Sequence, residues 1–274
     1  MAGSEGTIPK WALYCIMAGM LITGTLNTVI IKLNDEVISL GGYPYNHAYI
    51  QTAVMFLGEL ACFPMYGLKL YIEGRQAANN AGVTLLSPGG EAAKVQALPT
   101  NINPLLLAIP ASCDFCGSSL MMLSLTMTPA SVYQMMRGSI VVITAFFSIC
   151  FLGRKLYRHH WLAVILIVLA LVEVGMCAVF WGPKDATNGS VALGILLLMI
   201  SQCFAGTQFI VEEKLLSGYY LDPFRIVGTE GMWGLCYYLF LLPIFQWIPM
   251  PTSGIGGALS ADSGRLEDSA FAFK

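Results

Sequence analysis

WLAVILIVLALVEVGMCAVFW, residues Trp161 to Trp181, is the stretch that decides the fold. It carries one ionisable side chain, Glu173, and is otherwise apolar. About 20 residues at ~1.5 Å each cover the ~30 Å hydrocarbon core of a bilayer. An indole stands at each end, where an aromatic belt places it. The segment reads as a helix that crosses a membrane.

The same pattern recurs on both sides of it. Apolar runs near 11–31, 47–71, 104–125, 130–151, 191–211 and 224–247 bring the predicted spans to seven. Hydrophobic residues make up 56% of the 274-residue chain and charged ones 11%, under half the ~25% of a soluble domain. The fold class is therefore an all-α integral membrane protein. A net charge of −2 argues against nucleic-acid binding, which needs a concentrated positive surface. The eight cysteines all lie in apolar runs, as small hydrophobes do, and the Cys113/Cys116 pair sits inside a span with no further ligands.

The first apolar run has no small-residue cleavage site and passes into Lys32 and Asn34-Asp35-Glu36, unlike a signal peptide. The connection 73–103 reads as an exposed loop marked by Asn79-Asn80, Ser87-Pro88-Gly89-Gly90 and Pro99. Spans three and four are joined by a few residues around Pro129, which implies a tight antiparallel hairpin. Orientation follows from the basic residues. One side collects Lys10, Lys69, Arg75, Lys94, Arg154, Lys155, Arg158, Lys214 and Arg225, the other Lys32, Lys184, Arg265 and Lys274. That asymmetry makes the N-terminal side, with the 73–103 loop, cytosolic. The glycosylation triplet Asn188-Gly189-Ser190 then falls on the lumenal side, close to the membrane.

A faint internal repeat is present. Gly24-Thr25 leads through apolar residues to Lys32, and Gly206-Thr207 leads to Lys214 over the same interval. The following span carries Gly58-Glu59 in one case and Gly228-Thr229-Glu230 in the other. This sets a repeat of five spans, and an odd number inverts the second copy.

Five ionisable residues lie within spans: Glu59, Asp114, Arg137, Glu173 and Glu230. A charge at mid-bilayer costs roughly 2.5–3.5 kcal/mol, so such groups face the bundle interior, pair, or change protonation. Glu59 and Asp114 sit at matched depth near the midplane and are favoured for the transport path. Two carboxylates at one depth resist joint ionisation, which opens the option of proton coupling. Arg137 is near enough to the lumenal end to snorkel and is expected to face a cavity or a carboxylate. Glu230 is the repeat-related counterpart of Glu59. Asn27, Gln134, Gln202 and Gln208 add intramembrane polar groups, for which interhelical hydrogen bonding is the competing reading. For Glu173 a structural bond between helices is favoured. No Walker loop, H-E-x-x-H or G-x-S-x-G motif is present, so neither an enzyme nor a cofactor is indicated. His159-His160, beside Arg158 and Trp161, reads as an interfacial anchor.

Cys113-Asp114 with Gly117-Ser118-Ser119-Leu120, Ser131-Val132-Tyr133-Gln134-Met135-Met136-Arg137-Gly138 and Phe151-Leu152-Gly153-Arg154-Lys155 together resemble the drug/metabolite transporter superfamily. Within it the chain is most similar to the F branch of solute carrier family 35, the group near the chloroquine-resistance transporter. Glu212-Glu213-Lys214, Pro223 with Gly228-Thr229-Glu230-Gly231, and Gly264 with Leu266-Glu267-Asp268 extend the likeness. The resemblance implies ten helices in two inverted five-helix repeats, alternating access, and a central cavity between the halves. On that scheme 1–181 is the first repeat, 182–190 a lumenal linker, 191–248 the first two helices of the second repeat, and 249–274 a polar tail where the chain is cut. The expected function is secondary-active transport of a small organic solute, with proton coupling open, in an endomembrane (lysosomal, vacuolar or Golgi). The expected path residues are Glu59, Asp114, Gln134, Arg137, Glu230 and Asn27. A seven-helix receptor needs its N-terminus outside, against the charge asymmetry, and lacks D-R-Y and N-P-x-x-Y motifs here. A membrane adaptor is the third reading, for which buried carboxylates are an expensive choice. The sequence shows no sugar-nucleotide signature that would settle the substrate.

Overall fold

A long apolar sequence in a bilayer must satisfy its backbone internally, and this chain does so with helices. The computed structural model describes residues 9–36, 48–84, 103–181, 191–219 and 222–249. Among these the helices run α1 Lys10–Glu36, α2 Ala48–Leu60, α3 Cys62–Thr84, α4 Ala108–Met127, α5 Ala130–Met136, α6 Ile140–Leu152, α7 Arg158–Trp181, α8 Val191–Gly218 and α9 Pro223–Trp247.

Two of the expected spans are broken helices. In the second, α2 gives way to α3 at Ala61, whose N–H is shared between the carbonyls of Leu57 and Gly58 at 3.3 and 3.2 Å. Pro64 is the cause: it has no N–H for the Leu60 carbonyl and its ring crowds that position. In the fourth, the Arg137–Ser139 segment tightens to a 3-10 turn between α5 and α6. Gly138 is the weak helix former there. The chain leaves α6 through Gly153, at φ 64°, while the N–H groups of Gly153 and Arg154 return to Ile149 and Ser148. Only glycine takes that left-handed position without strain.

Six segments have the length and apolarity to cross a membrane: Trp11–Leu33, Ala48–Arg75, Ala108–Met127, Ala130–Leu152, Arg158–Trp181 and Val191–Leu216. They correspond to the first six predicted spans. The residues of the seventh expected span form the 25-residue helix α9, which lies outside this set. Its glycines, tyrosines and Glu230 lower its hydropathy. It also buries Ile226, Gly228, Thr229, Glu230, Gly231, Gly234 and Tyr238 against its neighbours, so it meets less lipid than they do.

α4 is the centre of the bundle. It packs along α8 and also meets α9 and α2, while α2 pairs with α9 and α6 with α8. Small residues set these distances. A Cβ on Gly194 would fall 2.6 Å from Thr128 Cγ2, and one on Gly234 2.3 Å from the Phe56 ring. Such close approach replaces the hydrophobic effect as the source of helix association in lipid. Polar links reinforce it: Ser124 Oγ donates to the Gly194 carbonyl at 2.7 Å, and Ser119 and Tyr238 share a 2.6 Å hydroxyl contact. α1 and α7 are peripheral; Ala178 is the one buried residue of α7.

The structure alters three expectations. The 73–103 connection begins as helix, since α3 continues to Thr84 through alanines that favour it. α8 runs to Gly218, well past the expected end at 211, and takes Glu212 into the bundle. Glu173 is exposed on α7 and makes no ion pair among the described residues, because α7 lies at the edge. The 182–190 linker with Asn188-Gly189-Ser190, residues 85–102 of the loop, His47, and the 250–274 tail with Gly264, Leu266, Glu267 and Asp268 lie outside the described residues.

Candidate functional site

Four helices each bring a carboxylate to one place. Glu59 is in the last turn of α2, directly before the break at Ala61. Asp114 lies on α4, Glu212 on α8 and Glu230 on α9. Glu59 feels the charges of Asp114 and Glu212, and Glu230 those of Glu212, Asp114 and Glu59. Gln208, one turn before Glu212 on α8, reaches Glu230 on α9.

The surrounding groups are neutral. Gln208 lies one turn before Glu212, and its Nε2 donates to Glu230 Oε1 at 3.5 Å. Ser118 Oγ donates to Asp114 Oδ1 at 2.8 Å. Glu230 is 4% exposed. Glu59 Oε2 and Glu212 Oε1 are sealed from solvent without a hydrogen-bond partner among the described residues. The inter-helix ion pairs Lys69 with Asp222 and Arg154 with Glu213 lie at the helix ends, and among the described residues these four carboxylates have no cation. Burying carboxylates without a paired cation is costly.

α9 is locked in position by its glycines. A Cβ on Gly231 would stand 2.5 Å from Leu60 N and 2.8 Å from Glu59 Cβ, so the backbones touch beside the site. Asp222 caps α9, its Oδ1 accepting from Phe224 N at 3.0 Å with Pro223 at the first helical position. Its other oxygen takes the Lys69 ammonium of α3. That bond, with the Phe224 N–H, holds the Asp222 carboxyl below the usual carboxylate range.

Of the residues expected from sequence, the structure brings together Glu59, Asp114 and Glu230, and adds Glu212. Gln134 stands elsewhere: its Nε2 donates to Thr28 Oγ1 and docks α5 on α1. Lys32 Nζ supports the same helix by donating to the Leu125 carbonyl at 2.8 Å. Arg137 is exposed in the 3-10 turn, its guanidinium 5.8 Å above the Tyr133 ring, and pairs with no carboxylate among the described residues. Asn27 is exposed on α1. Sequence reasoning missed Glu212 as a site residue. The available signal was the line Ser201, Ala205, Gln208, Glu212, which falls on one helical face.

Membrane-length helices around buried polar groups make this a multi-pass membrane protein. Comparison with known proteins makes the class specific: residues 45–233 match the nucleotide-sugar transporter family, and the chain belongs to it. It is 33% identical to human solute carrier family 35 member F6, over 96% of this chain and 68% of that protein. It is 26% identical to the UDP-galactose translocator 1 of Caenorhabditis elegans, over 81% of this chain and 60% of that one. A UDP-N-acetylglucosamine transporter of Rattus norvegicus is 31% identical over 41% of this chain and 35% of its own. The family agrees with the resemblance carried by the sequence motifs, and its relatives are solute carriers, not enzymes.

Proposed function

We propose that the protein carries a small organic solute across an endomembrane by alternating access, and that Glu59, Asp114, Glu212 and Glu230 form the site where solute and protons exchange. The single observation that supports this is the convergence of four carboxylates from α2, α4, α8 and α9 without a basic partner among the described residues. Where the carboxylates are ionised, the solute that meets the cluster carries positive charge. A nucleotide sugar is a poor fit: at an effective dielectric of ~20, each phosphate charge ~5 Å from an ionised carboxylate is repelled by about 3 kcal/mol. Gln134 serves helix docking in this reading, and Arg137 and Asn27 are not part of the cluster.

Support for an inverted five-span repeat comes from the same place. Gly58-Glu59 and Gly228-Thr229-Glu230 are the repeat-related segments, and the α2 and α9 that carry them pack against each other at Gly231. Elements on a pseudo-two-fold axis meet their own copies in this way. Residues 1–181 are then the first repeat, and 191–248 carry its first two positions again. The N-terminus faces the cytosol on the basic-residue asymmetry.

The test is uptake into proteoliposomes with an imposed pH gradient, using labelled tetraethylammonium and labelled UDP-galactose as probes. The wild type is expected to accumulate the cation in a gradient-dependent way and to leave UDP-galactose outside. Glu59→Gln, Asp114→Asn, Glu212→Gln and Glu230→Gln should each reduce that uptake and flatten its pH dependence. UDP-galactose uptake that all four variants leave unchanged would show that the carboxylates only hold helices together.

A further inference from the structure

The basic run Arg154, Lys155, Arg158, His159 and His160 has no part in the carboxylate site. It borders a groove of about 600 Å³ between α6, α7 and α8. Arg154, Lys155 and His160 stand at its rim with Glu213, which Arg154 neutralises in an ion pair. The net charge of the rim is therefore positive. The walls are apolar: Val141 and Ala145 come from α6, Ala163 and Ile167 from α7, and Phe209 from α8. Thr144 lines it too, but its hydroxyl is turned to its own helix, donating to the Ile140 carbonyl at 2.7 Å.

The length of the groove identifies its occupant. Val141 is eleven residues before the end of α6 at Leu152, and Ile167 nine residues after the start of α7 at Arg158. At ~1.5 Å per residue the walls run ~14–16 Å inward from the basic rim, about half of the ~30 Å hydrocarbon core. A positive rim at headgroup level above an apolar channel one leaflet deep matches a lipid with an anionic headgroup. We propose that this groove binds one anionic phospholipid, its headgroup on Lys155 and His160 and an acyl chain between α6, α7 and α8. A soluble anion would use the rim and leave the walls empty. A second copy of the chain would cover the walls without needing the positive charge. Neither explains why both features share one groove.

Native mass spectrometry of the protein from mixed micelles holding equal phosphatidylserine and phosphatidylcholine reads the preference directly. The wild type is expected to retain phosphatidylserine over phosphatidylcholine. Lys155→Ala should lower phosphatidylserine retention about fivefold, as for loss of one basic group at an anionic surface, while Lys155→Arg keeps it. Ala163→Trp should fill the walls and reduce retention of both lipids, and glycerophosphoserine, which has no acyl chain, should not compete. Equal retention of the two lipids by the wild type overturns the proposal. So do competition by glycerophosphoserine or inorganic phosphate, and lipid-free dimers with the groove at the contact. If Ala163→Trp fails to fold, the Lys155→Ala and Lys155→Arg pair still decides, since unchanged retention in both refutes a headgroup contact.

Discussion

Gly231→Ala is the smallest change that tests whether α2 and α9 meet at the site. The added Cβ would stand 2.5 Å from Leu60 N, 2.8 Å from Glu59 Cβ and 2.8 Å from Phe56 O. Ordinary contact begins at 3.4 Å, so α9 must retreat by 3.4 − 2.5 = 0.9 Å. Two of the three obstructing atoms are backbone and cannot rotate aside. Overpacking of this kind costs ~1–3 kcal/mol. Alanine returns up to ~1 kcal/mol through its better helix propensity. Gly19→Ala on α1 isolates that second effect, because nothing lies within 4 Å of a Cβ there.

The contrast between the two variants is therefore the measurement. Gly231→Ala should be less stable than Gly19→Ala by ~1–3 kcal/mol. For a chain of this size each kcal/mol moves the midpoint by roughly 2–4 °C, so the two melting curves separate by several degrees. Thermal unfolding of both in the same detergent, followed by far-UV circular dichroism, supplies the values. A retreat of α9 also draws Glu230 away from Glu59, so uptake in Gly231→Ala should fall with stability. Two superimposable melting curves would refute the close α2–α9 contact, and with it the assembly of the carboxylate cluster.

The pairing of Asp222 with Lys69 makes a prediction in pH. A carboxyl held below its ordinary value stabilises the fold above its unfolded pKa of ~3.9 and loses that contribution as pH falls through the folded value. Lys69→Ala removes the chief cause of the depression, so acid loss of structure should begin at higher pH than in the wild type, and an unmoved acid midpoint would count against the bond. Asp222→Ala also removes the α9 cap and should cost ~0.5–2 kcal/mol, whereas Asp222→Asn keeps most of it. Topology gives the last: protease added to sealed vesicles oriented cytosol-out should cut within 85–102 and spare 182–190, and the opposite pattern would reverse the orientation.

The sequence made the membrane architecture legible because apolar length is a direct physical requirement. It exposed Glu59, Asp114 and Glu230 for the related reason that a carboxylate at depth is costly enough to need a purpose. Glu212 was hidden by a boundary. With the sixth span ended near 211, the residue fell just outside it, and only the continuation of α8 to Gly218 carries it inward. Gln134 shows the opposite limit. Its depth marked it as polar and buried, but depth alone does not say which neighbour it faces, and that neighbour is Thr28. The break at Ala61 was announced by Pro64, which is visible in the chain yet was absorbed into one long apolar run. Pairings between helices distant in sequence were not available from periodicity at all. The contact of Gly231 with Leu60 is the clearest case, since nothing local specifies it.

That contact and the break beside it bear on how one end could open. A carrier that exposes its site alternately must separate helices at one end while the other stays sealed. α2 is held to α9 by backbone-close packing at Gly231 and Gly234, a joint with little room to slide. α3, beyond the break, is held to α9 by the exchangeable pair of Lys69 with Asp222. Lys69 is eight residues past Ala61, ~12 Å along the helix, so a small rotation at the break displaces the ammonium by several ångströms. Arg154 and Glu213 join α6 to α8 by a second pair of the same exchangeable kind. Ion pairs near water can be exchanged for hydration at little cost, whereas glycine-tight backbone contacts cannot. On the proposed alternating-access reading, the distribution of the two kinds of contact would put the pivot at Glu59 and the opening at the Lys69 end, with the first carboxylate of the cluster where the helix bends.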